Sequence, residues 1–222
     1  MDSQSFPLEI PGFPEISGKG AYSAQLVYSQ RDVEDIVAYA AEVHMVSFHV
    51  ALSAGTENHS SGVLMFWLKS THLDTPLSSQ NLTLSTSLVL RLLPGLHLPT
   101  VRTLLLLSRC DTDVFSEPPA GQLRFTEAAT VNFTANLLTA AAKLFPSRYF
   151  STGGDELNEA CYAQDPETQK TLNSTGESLE QYLSNFTQVT HRALAQEGKT
   201  PVVWEEMVLA HNVTLANNTI IM

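Results

Sequence analysis

The sequence predicts an α/β fold assembled from parallel strand–helix–strand units, and three observations carry that prediction. Amphipathic helical periods recur at residues 31–42, 130–145 and 178–196. Short β-prone runs at 148–151, 201–204 and 219–222 alternate with the later helices, at spacings that suit parallel crossovers. The first of these runs ends in Gly153-Gly154-Asp155-Glu156. Two glycines there let the backbone turn sharply, and two adjacent carboxylates at a strand end are costly to place unless they do chemistry.

Taken in order, residues 5–22 hold Pro7, Pro11, Gly12, Pro14, Gly18 and Gly20, so an ordered loop is expected rather than an element. The first helix places Val33, Ile36, Val37 and Ala40 on one face, with acidic residues near its start. The second helix is stopped by Pro146. The third presents Leu179, Tyr182, Leu183, Phe186, Val189 and Leu194 as its apolar positions, with Gly198 just beyond its end. The last strand signal runs to Met222, so the natural protein is expected to continue.

Residues 43–116 have another texture. Acidic residues nearly vanish, Ser, Thr and Leu dominate, and no clean period emerges. The Leu-rich stretch 82–107 invites a membrane-span reading, but Arg91, Pro94, Gly95, His97, Pro99 and Arg102 interrupt it too often.

A net charge of −11 and a pI near 4.9 argue against nucleic acid or an anionic membrane as partner. Asn-x-Ser/Thr acceptor motifs occur at Asn58, Asn81, Asn132, Asn173, Asn185, Asn212 and Asn217. Their density from Asn132 onward fits a secreted glycoprotein. Met1 runs directly into Asp-Ser-Gln-Ser-Phe with no basic start or apolar run, so the expectation is an extracellular or secretory-pathway parent whose signal peptide is absent from this chain.

The string Ser151-Thr-Gly-Gly-Asp-Glu-Leu-Asn158, with Asp2-Ser-Gln-Ser-Phe-Pro7 and Val203-Trp204-Glu205-Glu206, resembles the β-N-acetylhexosaminidases of glycoside hydrolase family 20. The resemblance covers residues 2–42 and 117–222. It implies a partial (β/α)8 barrel, incomplete at both ends, with residues 1–42 as the start of the catalytic barrel and 117–222 as its central units. In such a barrel the active site lies at the C-terminal strand ends. The implied reaction removes terminal non-reducing N-acetylhexosamine, using the substrate's own 2-acetamido oxygen as nucleophile. Glu156 matches the general acid/base and Asp155 the carboxylate that orients the acetamide. Trp204 matches a pocket tryptophan that stacks on the sugar, and Asp2 a substrate-binding carboxylate. The implied partners are oligosaccharides ending in N-acetylglucosamine or N-acetylgalactosamine, with a homodimeric parent, no cofactor, no metal, no nucleic acid and no membrane.

Simpler readings compete at each position. An Asp-Glu pair also suits a helix start, and a tryptophan after a strand also suits ordinary core packing. A non-catalytic carbohydrate-binding or degenerate remnant would keep Trp204 without the chemistry. Matching flanks on both sides of Asp155-Glu156 favour the catalytic reading.

In the family, a helix ending Ala-Ala-Glu leads into a strand close to DVLAEIDTPGHT. Here Glu42 is followed by Val43, whose codon begins GT, as introns do. When the third base of each codon is paired with the first two of the next, residues 65–76 permit a strand ending EIDTPGHT. Residues 80–88 then permit SESHPEHIA, with Cys following. Introns from Val43 to the second base of Ser61, and from Val101 to the first base of Glu117, together remove a whole number of codons. The frame is then restored where the resemblance resumes. Residues 43–116 are therefore expected to be aberrant and disordered, comprising two retained introns around a frame-shifted exon. The chain as written is expected to fold poorly and to be inactive.

The resemblance pairs Cys161 with a cysteine of the EHIAC segment, which the written chain lacks, and Cys110 falls in the second expected intron. Two free thiols are therefore expected. His191 and His211 are expected at the surface.

Overall fold

The computed structural model describes residues 7–42, 123–154, 157 and 159–222. Asp2, Asp155, Glu156, Cys110 and the whole of 43–116 lie outside the described residues. The elements run α1 (Pro14–Gly20), a 3₁₀ turn (Ala24–Leu26), α2 (Gln30–Glu42), α3 (Ala128–Leu144), β1 (Tyr149–Gly153), α4 (Glu159–Gln164), α5 (Pro166–Thr175), α6 (Leu179–Gln196), β2 (Thr200–Val203), α7 (Glu206–Leu209) and β3 (Ile220–Ile221).

The three strands form one sheet in the order β1-β2-β3, and both pairings are parallel. Tyr149 pairs with Thr200 and Phe150 with Pro201, and the register shifts between Ser151 and Gly153. Parallel pairing of neighbours requires a crossover, and α6 supplies it between β1 and β2. All four β2 residues are buried, as expected for the central strand of a covered parallel sheet.

Local sequence explains the helix ends. Ser178 and Gln181 make a capping box on α6: the Ser178 N–H donates to Gln181 Oε1 at 2.7 Å, and the Gln181 N–H donates to Ser178 Oγ at 3.3 Å. Asp165 caps α5 by accepting from the Thr168 N–H, Pro166 occupies its first turn, and left-handed Gly176 closes it. Lys199, just past α6, donates through Nζ to the carbonyls of Phe145 (2.5 Å) and Ser147 (2.8 Å), tying the end of α3 to the start of β2.

Two apolar clusters hold these elements. The first joins Leu8, Ile10, Ile16 and Val33 to Leu137, Leu138, Ala141 and Phe145 of the α3 region, Phe150 of β1 and Leu194 of α6. The second gathers Phe125, Tyr162, Leu183, Val203, Met207 and Val213 around the C-terminal end of β2. Beside it, Arg124 and Asp165 form a buried two-pronged ion pair, Nε to Oδ2 at 2.7 Å and Nη2 to Oδ1 at 2.6 Å. The Tyr162 hydroxyl donates to the Leu123 carbonyl at 2.8 Å. The segment leading into α3 is thereby fastened to α4 and α5.

Several expectations are corrected. Residues 14–20 are helical rather than loop. Pro14 sits at the helix start, where a missing N–H costs nothing, and Ile16 anchors the turn in the core. α4, α5 and α7 were not legible as elements. His191 and His211 are 6% and 7% exposed, not at the surface. Cys161 is disulfide-bonded, not a free thiol. Among the described residues no helix is long and apolar enough to cross a membrane, and the 82–107 stretch lies outside them.

Candidate active site

The site is built where the parallel strands end. β1 finishes in Gly153 and continues through Gly154, with φ of 70° and 103°. Such angles suit glycine, because a Cβ would collide with the local backbone. At Gly154 the constraint is doubled: a Cβ there would lie 2.4 Å from Met207 Cγ and 2.5 Å from its Sδ. The turn thus leaves the sheet closely covered by the Met207 side chain.

Backbone hydrogen bonds keep the strand ends level. The Trp204 N–H donates to the Gly153 carbonyl at 3.1 Å, the Met222 N–H to Val203 at 2.9 Å, and the Glu205 N–H to Met222 at 2.8 Å. The residues that follow β1 and β2 therefore emerge side by side. Ligand sites of parallel α/β sheets form at this end of the strands, where successive loops diverge. Trp204 is half-buried, and its indole Nε1–H is buried without a hydrogen-bond partner. A half-buried indole is of the type that stacks on a sugar face, and its Nε1–H is an unspent donor.

Beneath the turn, the Thr152 hydroxyl meets His191 Nε2 of α6 at 2.9 Å and lies 3.4 Å from the Val202 carbonyl. If the hydroxyl gives its proton to the carbonyl, it accepts from the imidazole N–H. Burial lowers the His191 pKa to about 4, so the ring is neutral at ordinary pH. This pair joins β1, β2 and α6 directly below the strand end.

Of the four residues singled out in the sequence, only Trp204 lies among the described residues, and it sits beside the Gly153-Gly154 turn. Asp155 and Glu156 follow that turn directly in sequence. Sequence reasoning missed Met207, Thr152 and His191. A signal for His191 was present: Leu183, Thr187, Thr190, His191 and Leu194 are the buried positions of α6 and recur at helical spacing. A pocket of about 360 Å³ lies away from the site, between α2 and the end of α3, lined by residues including Glu34, Val37, Lys143 and Pro146.

The sequence model described as glycosyl hydrolase family 20, catalytic domain, matches residues 1–48 and 98–222, leaving out 49–97. Curated relatives include a beta-hexosaminidase of Arthroderma benhamiae, 26% identical over 98% of this chain and 30% of that protein. The human beta-hexosaminidase subunit beta is 25% identical over 100% of this chain and 33% of its own length. The chain thus spans about a third of the curated relatives it matches. Among solved structures, a family 20 exo-β-N-acetylglucosaminidase from Vibrio harveyi in complex with N-acetylglucosamine superposes with a TM-score of 0.62. It is 17% identical and covers 99% of this chain and 31% of that one. A β-N-acetylhexosaminidase from Bacteroides fragilis gives 0.60 at 16% identity, covering 98% and 37%.

Proposed function

The chain belongs to glycosyl hydrolase family 20, and from that premise we propose that it carries the acid/base segment of a β-N-acetylhexosaminidase. Its reaction is the removal of terminal non-reducing N-acetylhexosamine from oligosaccharides. The observation that carries this reading is the Trp204–Gly153 hydrogen bond, which sets the sugar-stacking candidate beside the turn leading into Asp155-Glu156. In the proposed fold, β1, β2 and β3 are consecutive strands of one sector of a (β/α)8 barrel. Their parallel order and the likeness to the Vibrio harveyi fold support this.

Family 20 is an exception to the scheme in which two enzyme carboxylates act on the glycosidic bond. In the proposed reaction the 2-acetamido oxygen attacks the anomeric carbon and forms an oxazolinium ring as the glycosidic C–O bond breaks. Glu156 gives its proton to the departing oxygen, then takes one from the water that opens the ring. Asp155 accepts the acetamide N–H, which orients the group and offsets the charge that develops on it. Adjacent residues at a strand end point in different directions, so one can serve the leaving group and the other the acetamide. Two nearby carboxylates also raise each other's pKa, which helps keep the acid protonated. The acetamido oxygen attacks the face opposite the leaving group, and water then attacks the face opposite the acetamido oxygen, so two inversions return the original anomeric configuration. Proton NMR of the first-formed sugar tests this: the β anomer is expected, and an initial α anomer would refute the mechanism.

The parent protein is read as secreted or lumenal and homodimeric, and the chain as written as inactive. Residues 43–116 are read as retained introns around a frame-shifted exon; the family model leaves out 49–97 within that segment but matches 43–48 and 98–116. Sequencing the spliced transcript between the codons for Glu42 and Glu117 tests it. Restoration of EIDTPGHT is expected. A transcript identical to the chain as written would instead favour a non-catalytic remnant, detectable as sugar affinity without turnover.

A further inference from the structure

Five of the Asn-x-Thr motifs lie among the described residues, and the asparagine of each is exposed. Their threonines differ. Thr134 and Thr187 are each 3% exposed on the inner faces of α3 and α6. The Thr219 hydroxyl, in the motif of Asn217, is buried without a partner. Of these five, two have both the asparagine and the threonine exposed: Asn173 with Thr175, whose hydroxyl donates to the Thr171 carbonyl at 3.1 Å, and Asn212 with Thr214. Asn173 sits in the last turn of α5, one turn before left-handed Gly176. Asn212 has a φ of 47° and lies in the irregular segment that follows α7. Both stretches end a helix or lie outside one, where the backbone can yield locally at small cost.

The acceptor motif is read as a unit, amide and hydroxyl together, so a motif with a buried hydroxyl closes to modification as its element folds. We propose that Asn173 and Asn212 are the sites at which this chain carries N-linked oligosaccharides. The donor is an oligosaccharide esterified to a lipid pyrophosphate. The asparagine amide nitrogen attacks the anomeric carbon of that donor, and a nitrogen–carbon bond forms. The bond from that carbon to the pyrophosphate oxygen breaks, lipid pyrophosphate leaves, and the amide gives up one proton to a base of the transferase. Both sites border the second apolar cluster. The Thr175 hydroxyl meets the Tyr182 hydroxyl at 3.3 Å, and Val213 adjoins Asn212, so the two glycans would flank the first half of α6. The inference is independent of the hydrolase reading, since it needs only entry into the secretory pathway.

The test is translation of the full chain, with a cleavable leader, into endoplasmic-reticulum microsomes. Leader-cleaved product is then treated with peptide amidase in heavy-oxygen water, and each asparagine is scored by mass. Label at Asn173 and Asn212 is expected, with little at Asn132, Asn185 or Asn217. Asn173→Gln and Asn212→Gln should each remove one glycan step on a gel, and Thr175→Ala and Thr214→Ala should do the same while keeping the asparagine. Leader-cleaved chain unlabelled at both residues, or labelled equally at all five, overturns the proposal.

Discussion

Trp204 donates its backbone N–H to the carbonyl of Gly153 at 3.1 Å, so the loop that follows β2 is fixed beside the turn that follows β1. The glycines make this arrangement possible, and Met207 closes over it. Each of these contacts has a measurable consequence.

Substituting Gly154→Ala forces a Cβ into a left-handed backbone and into the Met207 side chain. The backbone term is about 1–2 kcal/mol and the overpacking about 1–3 kcal/mol. Urea unfolding should therefore show a clear drop in midpoint. Adding Met207→Ala removes the collision but not the backbone cost. The double variant should thus lose less than the sum of the two single losses. Strict additivity would mean that the contact is not made in solution.

Arg124 and Asp165 are 4% and 0% exposed. Asp165 raises the Arg124 pKa, mainly through their hydrogen bonds, and also caps α5. Removing either partner breaks a buried charge pair, at a cost of about 3–5 kcal/mol. Arg124→Met and Asp165→Ala should each destabilise strongly, and combining them should cost less than the sum. A single substitution that leaves the thermal midpoint unchanged would rule out the buried pair.

The buried His191 is neutral in the folded chain, with its pKa lowered from 6.5 to about 4. Between those values the unfolded chain binds the extra proton and the folded one does not. Stability from this group is therefore fully present above pH 6.5 and is lost as pH falls toward 4. The loss approaches about 3 kcal/mol, from the linkage of pKa to free energy. His191→Leu should flatten the stability profile in that window. An unchanged pH dependence would place the imidazole in solvent.

How far the sequence revealed this architecture depends on the kind of signal. The periods of α2, α3 and α6 and the apolar runs of β1 and β2 were readable because burial repeats at fixed spacing. α1 was obscured because the prolines and glycines that usually mark loops here mark a helix start and its last turn. α4 and α5 are short, and α5 is mostly polar, with Thr168 its one buried residue. His191 was assigned by residue type rather than by its place on the inner face of α6. At the site, the Gly-Gly turn and Trp204 were legible as motifs. The Met207 cover and the Thr152–His191 bond join residues 39 or more positions apart, and no local pattern announces them.

The most direct measurement is turnover of a chromogenic N-acetyl-β-glucosaminide by the full-length parent protein, translated from a transcript without the introns that run from Val43 into the Ser61 codon and from Val101 into the Glu117 codon, beside the same β-glucoside lacking the acetamido group. Hydrolysis of the first substrate alone is expected. Glu156→Gln should lower that rate by about 10²–10⁴-fold, the usual contribution of a positioned acid, and Asp155→Asn should also lower it. Equal hydrolysis of both substrates, or a Glu156→Gln variant as fast as its parent, would contradict substrate-assisted catalysis at this strand end.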